Sequence, residues 1–432
     1  MLAAKPELKR VEDVFGVAPE VLVHSYVDRG DLDEKITRLL RKKKHIALRG
    51  VSKCGKSWLR QRVVPNALVV QCRLGKTVTD IYREALGQIG IRLEISSTRE
   101  SSLTGTVEAT AEAGINLLAK LTAKWGLSAT DKDTTTSAPI AQDINDLSYI
   151  ADIIRESGRR LVIEDFHYLS HEERTQLAFD LKALWDARTY VIIVGVWSGQ
   201  NVLVKLNPDL TARVREVSIV WTDEDLCRIF DQGGAALNLK FGDDVKARAI
   251  ADCYGNAGIL QRLIEGLLES ADIDEEQEQL TQVTDTEFLE DAELTYAEEL
   301  NAVYLAFASR VSGGIRTRQN ATGIYAHAMA VIMAAADKEL IDGISLQDIF
   351  TKTKDRESRI QKGNLRTVLE RIETLQVDEA GRGLVLAYDV SKKVVTVVDR
   401  QLLLYRKYST MRWPWEDLIS EADQHSRAFE SD

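Results

Sequence analysis

The chain has 432 residues, 44% of them hydrophobic and 28% charged, with 6 prolines and a formal net charge of -11. That length predicts two or three domains, and the acidic balance excludes a protein coated with positive charge for nonspecific nucleic-acid binding. No apolar run approaches the roughly 20 residues that cross a bilayer, the N-terminus lacks a signal peptide's apolar stretch, and Cys54, Cys72, Cys227 and Cys253 form no CxxC pair. Reduced thiols in a cytoplasm are therefore expected.

The first informative stretch is HIALRG at 45–50, an apolar strand, followed by Gly50-Val51-Ser52-Lys53-Cys54-Gly55-Lys56-Ser57. This fits G-x-x-x-x-G-K-[ST] at every fixed position. Each position has its own reason: the glycines let the backbone curl and aim its N–H groups at phosphate oxygens, Lys56 reaches the β- and γ-phosphates, and Ser57 offers a hydroxyl to magnesium. The helix that follows adds its N-terminal dipole to the anion site. Gly50, Ser52, Lys53, Cys54, Gly55, Lys56, Ser57 and Trp58 are the expected phosphate-binding set.

Residues 107–129 carry an apolar side chain at every odd position. Period two is a strand signature, and a hairpin centred on Asn116 would set Glu112 opposite Lys120 and Glu108 opposite Lys124. Ala, Leu and Lys favour a helix instead, but Gly114, Gly126 and the threonines argue against it, so a β-hairpin inserted at about 95–140 is expected. An insertion is needed because Lys56 and Asp165 stand 109 positions apart.

Leu161-Val162-Ile163-Glu164-Asp165-Phe166 reads as a buried strand ending in two acids. Such acids hold a magnesium shell and polarise the attacking water, so Glu164 and Asp165 are candidate catalytic and metal-binding residues together with Ser57. The neighbouring His167 reads as structural. A further strand at 190–197 ends at Ser198, the candidate for orienting water, with Asn201 behind it. Arg213, before the next strand, is the candidate to reach a neighbouring subunit's γ-phosphate, with Arg215 close by.

Helical patterns then run from 222 to about 273, and the stretch from Asp272 to Glu299 holds twelve acids and no base. From Ile344 to Arg412 there are fourteen bases against nine acids. Helix, helix, helix and a two-stranded ribbon around VSKK is the winged-helix order. Arg359, Lys362 and Arg366 lie at helical spacing on the candidate recognition helix, and Lys392 and Lys393 at the wing tip. Glu357, Glu370 and Glu373 dilute that face. Trp413 and Trp415 close the domain or hook a partner.

Phosphate loop, acidic strand, polar-tipped strand, arginine and helical lid come in an order that resembles the AAA+ and STAND branch of P-loop NTPases. Within it the chain looks most like replication-initiator, transposition-regulator and archaeal-type STAND ATPases, over roughly residues 25–405 apart from the insertion. The resemblance implies an α/β P-loop core with a parallel sheet over 1–220. A helical lid over 221–272, an acidic linker over 273–300, an α+β winged-helix domain over 301–412 and a tail over 413–432 would follow. It implies an ATPase using ATP and magnesium and assembling with itself. It also implies an oligomeric switch that acts on a separate effector or regulator protein, in prokaryotic antiphage defence or signalling, or else an ATPase that acts on DNA. Where initiator-type ATPases carry a lid arginine, this chain has Gly258, with Arg262 one turn further on.

Overall fold

The computed structural model describes residues 8–99, 102–125, 130–132, 135–139, 145–197, 201–314, 322–376 and 384–420. It divides into two compact units. One comprises Gly30–Gly50 and Lys56–Ile219, the other Met1–Arg29, Val51–Gly55 and Val220–Asp432. Among the described residues no helix is long and apolar enough to cross a membrane.

The first unit is α/β. Its parallel sheet runs in the order Ala67–Gln71, Arg160–Glu164, Ile192–Gly195, His45–Arg49, Val214–Ser218. Leu161, Val162, Ile163, Ile192, Ile193 and Val194 are all buried, as strands covered on both faces require. After His45–Arg49 the chain steps to the far edge at Ala67–Gln71 and works back through the middle of the sheet. It ends on the other side of His45–Arg49, which is therefore where the strand order switches. Ligands of open α/β sheets bind beyond the carboxyl ends of strands at such a switch point. The register aligns those ends: Gln71 lies beside Glu164, and Arg49 beside both Gly195 and Ser218.

The insertion departs from the expected hairpin around Asn116. The backbone is a strand over Ser102–Ala109 and then a helix over Glu112–Trp125, so Glu112 and Lys120 lie on one helix and cannot face each other across strands. The insertion does carry an antiparallel sheet, but its strands are Ile91–Arg99, Ser102–Ala109, Thr135–Pro139 and Thr130–Lys132. Leu118 and Leu121, three apart, are fully buried, which is helical and not strand spacing. Gly114 has its own reason to be there: a Cβ at that position would stand 2.4 Å from the Gly90 carbonyl oxygen.

The second unit is mainly helical. Helices Asp223–Leu237, Asp243–Asp252 and Ala257–Ser270 are followed by a 27-residue helix, Glu287–Gly313. The expected boundary at 300 therefore falls inside one continuous helix. Buried residues from Val11 through Leu263, Tyr304 and Leu404 to Trp415 form a single apolar cluster, so lid, linker and C-terminal segment share one core. Residues 8–29 belong to it, with Phe15 lying so close to Gly233 that a Cβ there would meet its ring at 2.2 Å. Helices Ile324–Met333, Asp337–Asp342, Leu346–Arg356 and Lys362–Gln376 accompany a small antiparallel sheet of Ile344–Ser345, Val394–Val397 and Leu386–Asp389. Trp413 and Trp415 stack at 4.5 Å, and Trp413 packs on Tyr405. They close this core.

The α/β unit also buries a titratable ring at the start of the strand His45–Arg49. The His45 Nδ1 accepts from the Val191 amide at 2.9 Å, and its Nε2 lies 2.8 Å from the Leu181 carbonyl oxygen. These partners require a neutral ring with its proton on Nε2. Burial is the main reason its pKa is lowered to about 4. Because the folded value lies below the ordinary 6.5, this contribution to stability is complete above pH 6.5 and drains away as pH falls toward 4. The loss is expected to reach about 3 kcal/mol. His45→Gln, which keeps a donor and an acceptor without titrating, should flatten the pH dependence of chemical unfolding between those limits. An unaltered slope would show that His45 does not set it.

Candidate functional site

The phosphate loop leaves the strand at the switch point of the sheet. Lys56 opens the helix Lys56–Val63 and is buried to 8% exposure, its Nζ 3.3 Å from the Gly50 carbonyl oxygen. Ser57 beside it is exposed and Trp58 half-buried. The strand Arg160–Glu164 brings its two acids to the same edge of the sheet, but they meet different partners. Glu164 is nearly buried and its Oε1 accepts from the Arg60 Nε at 3.1 Å. Asp165 takes a left-handed conformation, φ 56°, and accepts from the Gln71 amide at 2.9 Å. Aspartate is among the non-glycine residues that adopt that backbone most readily. Sequence reasoning left open which acid serves a metal. Here Glu164 is neutralised by Arg60 from the phosphate-loop helix, while Asp165 remains half-exposed at the strand tip.

His167 lies in the fields of Asp165, Lys56 and Arg174. Burial is the main cause that lowers its pKa to about 4, and its Nδ1 accepts from the Val196 amide at 3.3 Å. It is a neutral ring at neutral pH that ties the acidic strand tip to the next strand. Arg60 and Gln71 were missed by sequence reasoning; the register sets Gln71 beside Glu164, and Arg60 lies one turn into the helix Lys56–Val63.

The remaining candidates fall elsewhere. Ser198 lies outside the described residues. Asn201 is exposed, in a left-handed conformation, its amide donating to Glu216 at 3.0 Å. Arg213 precedes Val214, which pairs with His45, the first residue of the strand that leads into the loop. That is the opposite edge of the sheet from Gly50, about 13 Å away along four residues of strand. The Arg213 guanidinium sits 4.9 Å over the Trp185 ring and donates to the Asp209 carbonyl.

Within the second unit, residues 51–55 have an ordered set of partners. The Ser52 carbonyl accepts from Asn256 Nδ2 at 2.8 Å and the Lys53 carbonyl from the Gly258 amide at 3.0 Å. The Cys54 carbonyl accepts from Trp221 Nε1 at 3.0 Å and from Arg29 Nη1 at 2.9 Å. Arg29 also lies 4.3 Å over the Trp221 ring. The Lys53 side chain turns to Gln401 Oε1 at 2.6 Å. Gly258 now has a positive explanation: a Cβ there would stand 2.6 Å from the Lys53 carbonyl oxygen. Arg262, the possible stand-in, is engaged with Glu299 and Glu265 and lies over Tyr296.

No protein-family model and no curated protein matches the sequence. Among solved structures the chain has distant likenesses. The Orc1 protein of Aeropyrum pernix in complex with DNA is 12% identical, with 93% of this chain and 94% of that one covered, at a TM-score of 0.37. The STAND protein of Pyrococcus horikoshii with a tetratricopeptide-repeat sensor is 13% identical at a TM-score of 0.37; 99% of this chain covers 47% of that one. AMPPCP-bound DnaA of Aquifex aeolicus is 13% identical, with 86% and 92% covered, at 0.33.

The Arg60–Glu164 pair gives a direct test of the site's electrostatics. Both side chains are 12% exposed, and removing one partner of a nearly buried pair strands the other. Arg60→Met is expected to destabilise the protein by about 3 kcal/mol, with the Arg60→Met, Glu164→Leu double variant recovering much of it. Equal unfolding midpoints for parent and Arg60→Met would show that the pair is solvated.

Proposed function

We propose that this protein binds ATP with magnesium, hydrolyses it, and works as an oligomeric switch that regulates a partner protein. The observation that carries the proposal is the placement of G-x-x-x-x-G-K-S at the switch point of a parallel sheet, with Asp165 at the tip of a strand on the same edge. In this reading Lys56 holds the β- and γ-phosphates, and the amides of residues 52–57 surround them. The exposed Ser57 hydroxyl and the half-exposed Asp165 carboxylate are hard oxygen donors of the kind magnesium takes. Magnesium, when bound, neutralises charge on the phosphates being separated. Asp165, oriented by Gln71, is the principal acid toward metal and water, while Glu164 is held by Arg60 and positions the strand tip.

Lys56→Ala is expected to weaken ATP binding measured by calorimetry at least tenfold, on the scale of a lost charge-assisted contact. Asp165→Ala should leave binding near the parental value and slow hydrolysis by about a hundredfold or more. Parental ATP affinity in Lys56→Ala would end the phosphate-loop reading.

Arg213 has a catalytic use only across a subunit boundary, since in its own chain it stands at the opposite end of the strands. Mixing Arg213→Ala with Lys56→Ala protein should therefore restore hydrolysis above the sum of the two alone, because Lys56→Ala subunits still present an arginine. A strictly additive mixture removes the role in trans. The place of the switch in antiphage defence or signalling rests on the resemblance. It is tested by whether Lys56→Ala abolishes phage protection in a host carrying the native gene cluster.

A DNA-acting reading is favoured by one feature. Lys362, Arg366, Lys392 and Lys393 line an open depression of about 420 Å³ beside the candidate recognition helix. Against it, Arg359 is paired with Glu357 at 2.7 Å and Arg366 with Glu370 at 2.8 Å. Weak binding to random duplex at physiological salt is expected; submicromolar affinity that falls steeply with salt would promote the DNA-acting reading.

A further inference from the structure

A phosphate loop works by converging N–H groups, yet the same backbone carries carbonyls whose lone pairs repel phosphate oxygens. In a trans peptide the carbonyl of one residue points opposite to the amide of the next. Whatever holds the Ser52, Lys53 and Cys54 carbonyls therefore also sets the direction of the Lys53, Cys54 and Gly55 amides. All three carbonyls are held, by Asn256 Nδ2, the Gly258 amide, and Trp221 Nε1 with Arg29 Nη1, over distances of 2.8–3.0 Å. Lys53 and Gly55 have φ of 59° and 83°, left-handed residues of the kind that make an anion-binding nest.

We propose that Asn256, Gly258, Trp221 and Arg29 form an outer clamp that positions the phosphate-loop amides, so that nucleotide affinity is set from the helical unit through three carbonyls. This rests on the ATP-binding reading above and adds residues that touch no phosphate themselves. Each clamp member has a second anchor. Asn256 caps the helix Ala257–Ser270 through its Oδ1 while its Nδ2 holds the loop. Arg29 is 5% exposed and stacked on Trp221. At Gly258 only hydrogen leaves room for the Lys53 carbonyl, so an arginine at this position would push the loop out of register.

The clamp makes a separable prediction because it orients groups without contacting the reaction. The double variant Trp221→Phe, Asn256→Ser keeps the ring and a capping hydroxyl but removes two loop donors. Its Kd for magnesium-ATP is expected to rise about tenfold, with turnover at saturating ATP retained within about twofold and the protein still folded at the assay temperature. Gly258→Ala should raise Kd in the same direction by displacing the Lys53 carbonyl. A parental Kd in the double variant, or a rise in Kd accompanied by an equal fall in turnover at saturating ATP, would overturn the clamp. Lys56→Ala measured alongside separates the two proposals. If it weakens binding and the double variant does not, only the clamp fails; if it too binds normally, the nucleotide reading itself fails.

Discussion

A backbone loop that is to receive a polyanion must turn its donors one way and its acceptors the other, and the acceptors still need partners. Buried carbonyls left unpaired cost about 1–3 kcal/mol each, so a loop with free inward amides is stable only where something outside takes the carbonyls. In this chain that outside surface is built from residues far along the sequence: Trp221, Asn256 and Gly258, with Arg29 from the N-terminal side. It explains why residues 51–55 belong with the helical unit although the flanking Gly50 and Lys56 belong with the sheet.

The acidic strand obeys a related constraint. Two carboxylates side by side repel each other, and one of them is paired off. Arg60, one turn into the helix that follows the phosphate loop, takes Glu164, and Gln71 donates to Asp165 without neutralising it. The order glutamate then aspartate thus acquires a physical reading: the buried position carries the acid that pairs with an arginine, and the half-exposed tip carries the acid met by a neutral side-chain amide.

What could be read in advance was whatever chemistry forces into local spacing. Gly50, Gly55, Lys56 and Ser57 are recognisable because the motif has fixed separations, and the apolar runs at 46–48 and 161–163 because a sheet covered on both faces needs them. The helix Glu112–Trp125 was not legible, since its alanines and leucines satisfy period two and period 3.6 alike. Gly114 weighed toward a strand when its role is to let the helix approach Gly90. The clamp left one trace, a glycine at 258 where resemblance implies arginine. Its meaning lay in a carbonyl about two hundred positions upstream.

The clamp residues are themselves backed by charges within the helical unit. Asp252, ending the helix Asp243–Asp252, accepts from Lys407 and Tyr408 at 2.6 Å each. Burial opposes its charge, but hydrogen bonds led by Lys407 hold its pKa below the usual range. Glu293, with no exposed side-chain surface, accepts from Arg248 at 2.6 Å. Burial first, and then its hydrogen bond with Asp252, push its carboxyl up to about 7. Arg400 donates to the Tyr254 carbonyl. The segment from 252 to 258, which delivers Asn256 and the Gly258 amide to the loop, is thus pinned to helices Glu287–Gly313 and Gln401–Tyr408. The carboxylates of these pairs are buried while Lys407 and Arg248 keep 48% and 30% of their side-chain surface exposed. These contacts stand behind Asn256 and Gly258, two of the four residues that hold the carbonyls of residues 52–54.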